Sequence, residues 1–379
     1  MLNNWILSTD IGCDFIFLDG VIHAYELSGD ERLPAIIEEM ISVYLSIDLE
    51  AILAQTHSTL TGIRALLRYY ALTGKEELLS AAVERFELYK SAGMTENYEN
   101  YNWFGRPTHT EPCAIHDSHM VAKQLWQFTG SKFYLEDAEH IYYNGIGATQ
   151  RSNGGFGCNS CAGAGDYFLG MKIYEAHWCC TMRGSEGLSY AARTSMYTKG
   201  ETLYITAYGN KRTKIHDEKG SFILEQVTGY PFEGKVLLEV KESSMSYSPQ
   251  LRIFSPGYLK NFSVILNGKL QEAVYADGFI SLPEVKTGDR IEFGFDFIYN
   301  RAAAMNPNSL EGSHTFRAGP LVLTSENLNS EQPMAIGENP DMEYVGEGKY
   351  LVDGHTFISA YHLMDPGMDV PLISRQIVF

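Results

Sequence analysis

The chain has 379 residues, of which 45% are hydrophobic, 20% are charged and 12% are aromatic. This is the composition of a globular protein, and the length is enough for two domains. The formal net charge of −18 argues against electrostatic binding of nucleic acid or of an anionic membrane surface. The N-terminal segment has no basic region and no long apolar run. We therefore expect no signal peptide, no transmembrane span and a cytoplasmic location, where cysteines stay reduced.

Residues 1–198 predict helices in antiparallel pairs. One pattern occurs three times: an apolar-periodic helix ends at a glycine (Gly29, Gly74 and Gly130), and a new helix follows. Such units stack side by side, as an open solenoid or as a closed α/α toroid. The helices are predicted at about 13–28, 32–46, 58–73, 76–91, 112–129, 132–148 and 183–195, which is fewer than a closed (α/α)6 toroid requires.

From about residue 199 the hydrophobic period changes to two, which predicts strands. Asn267-Gly268 is typical of a hairpin turn. We predict an antiparallel β-sandwich over residues 199–325 and a C-terminal tail, residues 326–379, that packs back on the other domains. The predicted fold class is therefore multidomain, with a partial α/α toroid, incomplete at its N-terminus, followed by a β-sandwich.

Two cysteine motifs have the composition of a metal site. Glu111-Pro112-Cys113 precedes a predicted helix, and the vicinal pair Cys179-Cys180 comes later in the chain. Adjacent cysteines rarely bond to each other, because the small ring strains the disulfide. Each cysteine alone is better explained as a core residue. Together, three sulfurs and one carboxylate suit tetrahedral Zn²⁺.

A second arrangement of cysteines is also open. Cys158-x-x-Cys161 can combine with Cys179 and Cys180 into a structural zinc site, which leaves the Glu-x-Cys motif without a role. A redox function of Cys158 and Cys161 is less favoured, since no thioredoxin-like βαβ pattern surrounds them.

The segment 93–113 has the composition of a sugar-binding loop. It is rich in Asn and Tyr, it contains Trp103 as an aromatic platform, and it carries Glu96, Glu99 and Glu111. Because proline is favoured at the first helical position, we place Glu111 at a helix N-terminus, where the dipole favours a carboxylate.

Histidines supply fewer candidates. His57 opens a predicted helix and is a plausible contact of the site. His116 and His119, one turn apart after Cys113, are at best supporting residues or substrate contacts, and core or surface positions explain them equally well.

These motifs resemble those of glycoside hydrolase family 127, the zinc-dependent β-L-arabinofuranosidases. The resemblance rests on Glu111-Pro112-Cys113-Ala114 and Cys179-Cys180, in the family's order with His57, Glu139-His-Ile-Tyr-Tyr-Asn144 and Phe316-Arg-Ala-Gly-Pro-Leu-Val322. It implies a toroid followed by a β-sandwich, and it implies that several N-terminal helices of the family are missing. We therefore expect a carbohydrate substrate, and either a homo-oligomer or a partner chain that supplies those helices.

The resemblance also implies roles for single residues. Glu111, Cys113, Cys179 and Cys180 match the zinc ligands, and Cys179 matches the nucleophile. The general acid/base corresponds best to Glu96, with Glu99 as the rival. His57 matches a histidine that contacts the sugar, and Glu111 and Trp103 are further substrate-binding candidates.

The chemistry that follows is retaining glycoside hydrolysis. Zinc converts a thiol to a thiolate, which can attack the anomeric carbon while a glutamate protonates the leaving oxygen. Water then releases the sugar with net retention. The predicted function is a glycosidase that releases L-arabinofuranose or a related furanose. The alternative is a non-catalytic protein that binds a saccharide or a partner chain and holds a structural zinc.

Overall fold

A computed structural model describes residues 4–151, 153–159, 161, 178–303, 314–325 and 336–359. The N-terminal half is helical. Its helices are α1 (Asn4–Ser28), α2 (Leu33–Ser46), α3 (Thr56–Thr73), α4 (Glu76–Leu88), α5 (Pro112–Thr129), α6 (Lys132–His140) and α7 (Trp178–Arg193). π-helical turns follow α4 at Tyr89–Gly93 and α6 at Ile141–Ile146, the second leading into the short helical turn Gly147–Thr149.

The glycines predicted to end helices do so. Gly74 and Gly130 follow α3 and α5 with φ of 69° and 72°, and their amides donate to the carbonyl oxygens of Tyr70 and Trp126. Glycine adopts this left-handed conformation without steric cost, so each helix stops and the next can begin. The start predicted for the last helix, residue 183, was wrong: α7 begins at Trp178, so Cys179 and Cys180 lie in its first turn.

The helices form two rows of an arc. α1, α3, α5 and α7 lie side by side in the inner row, and α2, α4 and α6 each pack on the inner helix before them in the chain. Their apolar faces share one core, which includes Tyr44, Leu66 and Phe86. This is the predicted arrangement of α/α hairpins in a partial toroid. Among the described residues, no helix is long and apolar enough to cross a membrane.

The C-terminal half is built from strands. They are β1 (Met196–Lys199), β2 (Thr202–Ile205), β3 (Lys211–Asp217), β4 (Gly220–Thr228), β5 (Lys235–Ser243), β6 (Gln250–Phe254), β7 (Leu259–Leu266), β8 (Lys269–Gln271), β9 (Val274–Ala276), β10 (Phe279–Glu284), β11 (Arg290–Phe297), β12 (Tyr299–Ala303), β13 (His314–Ala318), β14 (Leu321–Ser325), β15 (Met342–Gly346), β16 (Lys349–Val352) and β17 (His355–Ser359).

Two sheets make the sandwich. One has the order β1-β2-β6-β10-β9, and the other has the order β3-β4-β5-β11-β7-β8. Alternating side chains from both sheets, such as Ile205, Leu238 and Ile253, share one core. The pairs are antiparallel except β2 with β6, which run parallel. The predicted hairpin turn joins β7 to β8, with positive φ at both Asn267 and Gly268.

The remaining strands form a third sheet, with the order β12-β13-β14-β17-β16-β15 and a small core of its own. Its last three strands lie in the segment predicted as a tail, whose residues 326–335 and 360–379 are outside the described residues. The domain boundaries drawn from the sequence stay a prediction. This sheet docks on the helical half through Asn144, whose amide donates to Pro320 O (2.8 Å) and whose oxygen accepts from Val322 N (2.8 Å).

Candidate functional site

The inner helices bring their N-terminal ends together. His57 is the second residue of α3, Glu111 immediately precedes α5, Cys113 lies in the first turn of α5, and Cys179 and Cys180 lie in the first turn of α7. A helix N-terminus carries unpaired N–H groups and a partial positive charge, which favour carboxylates and thiolates. Parallel packing of the inner helices therefore concentrates this effect at one point.

The three cysteine sulfurs are at the separation expected for metal ligands. Cys180 Sγ lies 3.8 Å from Cys113 Sγ and 3.9 Å from Cys179 Sγ. A tetrahedral zinc with bonds of about 2.3 Å places neighbouring sulfurs about 3.8 Å apart. Cys113, Cys179 and Cys180 form one group of possible ligands, and Cys113 also belongs to a second group with His57 and Glu111. The three sulfurs therefore fit Zn²⁺, and Glu111 is grouped with Cys113 and His57 and not with the other two cysteines.

Glu111 is held in place by its neighbours. Gln55 Nε2 donates to Glu111 Oε2 (3.1 Å), and His57 Nδ1 lies 3.7 Å from Oε1. The backbone amide of Glu111 donates to Asn100 Oδ1 (2.8 Å). Burial raises the pKa of Glu111 to about 7, against the opposing effect of His57. The carboxylate is thus fixed beside Cys113 in a site that penalises uncompensated negative charge.

The pKa values of the three clustered cysteines are shifted in different directions. Hydrogen bonds from Cys113 and Cys158 lower the pKa of Cys180 to about 3. The hydrogen bond to Cys180 raises the pKa of Cys113, and burial raises that of Cys179. One thiolate is stabilised, and each further negative charge in the cluster is unfavourable without a cation. A divalent metal would supply that compensation.

Behind the ligands lies a buried ion network centred on Asp117, which is fully buried. Its carboxylate is 2.8 Å from Arg64 Nη1, 3.3 Å from His57 Nε2 and 3.5 Å from Arg183 Nε. Thr61 Oγ1 donates to it as well (3.0 Å). His57 is therefore fixed between two carboxylates, one ring nitrogen facing Glu111 and the other facing Asp117. This orients the imidazole beside the cysteine cluster.

The two rival glutamates of the loop have different surroundings. Glu99 is fully buried, and its two carboxylate oxygens accept hydrogen bonds from Asn97 Nδ2 and Asn159 Nδ2, both at 2.7 Å. Glu96 is half-buried. Of the two, Glu96 is the one with side-chain surface open to a substrate.

Trp103 is half-buried beside the residue that holds Glu111. Its backbone pairs with Gln55, and its ring lies edge-on to His109, with ring centroids 5.3 Å apart. Gln55 Nε2 also reaches Asn102 Oδ1 at 3.4 Å. The loop that carries Trp103 is therefore attached to the start of α3, next to His57.

The alternative zinc set is separated in the structure. Cys158 hydrogen-bonds to Cys180, whereas Cys161 Sγ donates to Asn100 O (3.5 Å). Among the described residues, the groups of donors close enough to share a metal include neither Cys158 nor Cys161. His116 and His119 are buried core residues outside these groups. Residue 160, between Cys158 and Cys161, and residues 162–177 lie outside the described residues.

The sequence reasoning missed Asp117, Arg64, Arg183 and Gln55. The spacing of polar residues in the sequence could have indicated some of them. His57, Thr61 and Arg64 recur at helical spacing on the otherwise apolar α3, and Asp117 follows Cys113 by one turn. A polar stripe on a buried helix predicts a polar partner, but its identity requires the tertiary structure.

Comparison with known proteins agrees with this architecture. Residues 202–297 match the family model described as "Beta-L-arabinofuranosidase, GH127 middle domain". A solved GH127 β-arabinofuranosidase superposes with a TM-score of 0.74 at 16% identity, over 93% of this chain and 67% of that one. A glycoside hydrolase superposes with a TM-score of 0.75 at 17% identity, over 94% and 74% of the two chains.

A third solved structure, a GH127 β-L-arabinofuranosidase from Geobacillus stearothermophilus T6, gives a TM-score of 0.72 at 14% identity, over 93% of this chain and 70% of that one. At such identities the solved structures establish the fold. No curated protein sequence matches the chain. Fold and family model together define the class of protein, which is a glycosidase. Within that class, the match of residues 202–297 to the GH127 middle domain and the fold shared with solved GH127 enzymes support the resemblance to glycoside hydrolase family 127 that the cysteine motifs indicated.

Proposed function

We propose that this protein is a retaining glycosidase that releases L-arabinofuranose or a related furanose, with Cys179 as the nucleophile. The observation that carries the proposal is the convergence of Cys113, Cys179 and Cys180 beside Glu111. Cys179 is exposed, whereas Cys113 and Cys180 are buried. Of the three sulfurs, that of Cys179 is therefore the one that a substrate can reach.

The donor set supports a zinc site. Zn²⁺ held by Glu111, Cys113, Cys179 and Cys180 would keep the sulfurs as thiolates at neutral pH. Asp117 and His57 would keep Glu111 in position, and the helix N-termini would stabilise the negative charge of the ligands.

The proposed reaction proceeds in two displacements. In the first, Cys179 Sγ forms a bond to the anomeric carbon, the glycosidic C–O bond breaks, and Glu96 gives its proton to the leaving oxygen. In the second, Glu96 takes a proton from water, the water oxygen bonds to the anomeric carbon, and the C–S bond breaks. Two inversions give net retention.

Glu96 is proposed over Glu99 because an acid/base must contact the substrate. The oxygens of Glu99 are occupied by Asn97 and Asn159, which suits a residue that holds the loop in shape. The ring of Trp103 and the imidazole of His57 are proposed as substrate contacts, because both lie next to Gln55 at the start of α3.

Substitution of the proposed nucleophile and acid/base tests the reaction. We expect Cys179→Ala to lower kcat by about four orders of magnitude. We expect Glu96→Gln to slow hydrolysis of alkyl glycosides much more than that of aryl glycosides, whose leaving groups need less protonation. Glu99→Gln, as the comparison, should show no such dependence on the leaving group. Unchanged turnover in both Cys179→Ala and Glu96→Gln would refute the mechanism.

Zinc content tests the ligand set. We expect Cys113→Ala to lose bound zinc and Cys161→Ala to retain it, measured by elemental analysis of the purified proteins. The reverse result would favour the set built on Cys158 and Cys161. A cysteine-directed furanose inactivator should add its mass to Cys179 alone, and the absence of an adduct would favour a saccharide-binding protein with a structural zinc.

Two further expectations belong to the proposal. A reducing, cytoplasmic location suits cysteines that must remain free for metal binding. A homo-oligomer or a complex with a partner chain is tested by the mass of the native protein in solution.

A further inference from the structure

A second group of titratable residues, buried except for the half-buried Lys211, lies where the helical half faces the sandwich. A cavity of about 830 Å³ is lined there by His119 and Lys123 of α5, Glu139 of α6 and Lys211 of β3. In the proposed reaction these residues have no role. Lys123 lies almost three turns along α5 from Cys113, so the cavity is separate from the cysteine cluster.

The two lysines have hydrogen-bond donors to spare. Lys123 Nζ donates to the carbonyl and hydroxyl oxygens of Thr206, at 3.2 and 3.0 Å, and Lys211 Nζ donates to Ala207 O at 2.8 Å. An ammonium group has three N–H donors, so each lysine can make at least one more hydrogen bond when charged. These donors are available to an anion in the cavity.

The positive charges of the two lysines are disfavoured by burial, and that of Lys123 also by repulsion from Lys211. Burial lowers the pKa of Lys123 to about 7, and repulsion by Lys211 lowers it further. Burial likewise lowers the pKa of Lys211 to about 8, with Glu139 opposing the shift. The lining also contains three further cationic residues, Arg193, Arg212 and Lys214. This concentration of positive charge stands out in a chain with a net charge of −18, and an anion would relieve it.

Two other buried polar atoms lack a hydrogen-bond partner within the described part of the chain. Glu139 Oε1 and His119 Nδ1 have no hydrogen-bond partner among the described residues, although Tyr258 donates to the other oxygen of Glu139. A buried polar atom without a partner is costly, so a ligand with hydroxyl groups would be favoured here. Tyr143 and Tyr208 add aromatic surface to the lining. A monosaccharide matches the cavity, because its hydroxyl groups can pair with these polar atoms and its C–H groups can pack on the tyrosine rings.

We propose that this cavity binds a small anionic sugar, with its carboxylate or phosphate between Lys123 and Lys211 and its hydroxyl groups against Glu139 and His119. The site is independent of the glycosidase reaction, since none of its residues belongs to the cysteine cluster or to the loop of Glu96.

Calorimetric titration of the full chain tests this site. The probes are glucuronate for the carboxylate, glucose 1-phosphate for the phosphate, inorganic phosphate, and neutral L-arabinose. We expect one of the two anionic sugars to bind more tightly than inorganic phosphate. Lys123→Met and Lys211→Met should each weaken that binding at least about tenfold, because each removes a charged hydrogen bond.

Two controls separate this site from other sites on the protein. Lys269→Met removes one positive charge from the exposed strand β8 and should leave the affinity unchanged. Cys179→Ala should also leave it unchanged, so failure of the glycosidase proposal does not affect this one. The proposal is overturned if neither anionic sugar binds with a Kd below about 10 mM, if inorganic phosphate binds as tightly as both, or if Lys123→Met and Lys211→Met bind as tightly as Lys269→Met.

Discussion

Asp117 is the buried carboxylate on which the orientation of His57 depends. Burial by itself would raise its pKa, but Arg64, His57 and Arg183 outweigh burial and hold the pKa well below its usual range. The carboxylate is therefore charged at neutral pH and compensates Arg64, which is 7% exposed. A buried pair of this kind is sensitive to loss of either partner, because the other charge is then left without compensation.

We expect Asp117→Asn to destabilise the protein by about 3–5 kcal/mol, because Arg64 remains buried without its counter-charge. The measurement is the melting temperature, together with zinc content at a temperature where the variant is still folded. Asp14→Asn, at an exposed position of α1, is the matched control. Equal melting temperatures for the two variants would contradict the role given to Asp117.

At the scale of elements, the distance between α5 and α7 determines whether Cys113 and Cys180 can share a metal. The helices approach closely at Gly187 of α7: a Cβ placed there would lie 2.2 Å from His116 Nδ1. His116 also packs edge-on against Phe156, with ring centroids 4.6 Å apart, so it has little room to move. Glycine is thus needed for the contact that brings the two cysteine-bearing helices together.

We expect Gly187→Ala to push α7 away from α5, which should lower the melting temperature and reduce zinc content and turnover together. Overpacking of this kind costs about 1–3 kcal/mol. Ser185→Ala, at an exposed position of the same helix, controls for the added helix propensity of alanine. If Gly187→Ala retains full zinc content and activity, the contact does not position the cysteines.

At the scale of the whole molecule, the helical half and the sandwich meet through polar as well as apolar contacts. Trp126 of α5 packs on Tyr197 and Phe279, with ring centroids 5.0 and 5.9 Å apart. Lys123 of the same helix reaches Thr206, which follows β2. Because the amino group of Lys123 is buried at this junction, the stability of the folded protein depends on pH.

The sign of that dependence follows from the pKa of Lys123, lowered to about 7 in the folded protein from an ordinary value of 10.5. Between these values the unfolded chain binds a proton that the folded chain has lost, so the contribution of Lys123 to stability rises with pH. We expect the melting temperature of the natural protein to rise, relative to Lys123→Met, from about pH 7 to about pH 10. A constant difference between the two melting curves over that range would contradict the shifted pKa.

Local features were the ones that could be predicted from the sequence. Gly74 and Gly130 end helices because the conformation required depends on the residue itself, and Asn267-Gly268 forms a hairpin turn for the same reason. The fold class and the placing of Glu111 before α5 were predicted correctly, and the comparisons support the predicted resemblance to the family. The residue roles assigned to Cys179 and Glu96 stay predictions.

Features that depend on distant contacts were not predictable in the same way. The start of α7 was missed, because its first turn gains stability from packing beside α5 as well as from its own sequence. The third sheet was missed in part, since short strands such as β15 to β17 become recognisable only when paired. The parallel pair of β2 and β6 joins segments that are far apart in the chain.

By itself, the sequence determined the helical and strand periods, the helix ends, and a set of donor residues suited to zinc. Each of these follows from chemistry within a few residues. Only the tertiary structure decided which donors meet: Cys113, Cys179 and Cys180 come together, and Cys161 lies apart. It also revealed the charged network around Asp117 and the cavity of Lys123 and Lys211. The physical reason is that metal binding and buried charge depend on distances between side chains, which are determined by the packing of helices remote in the chain.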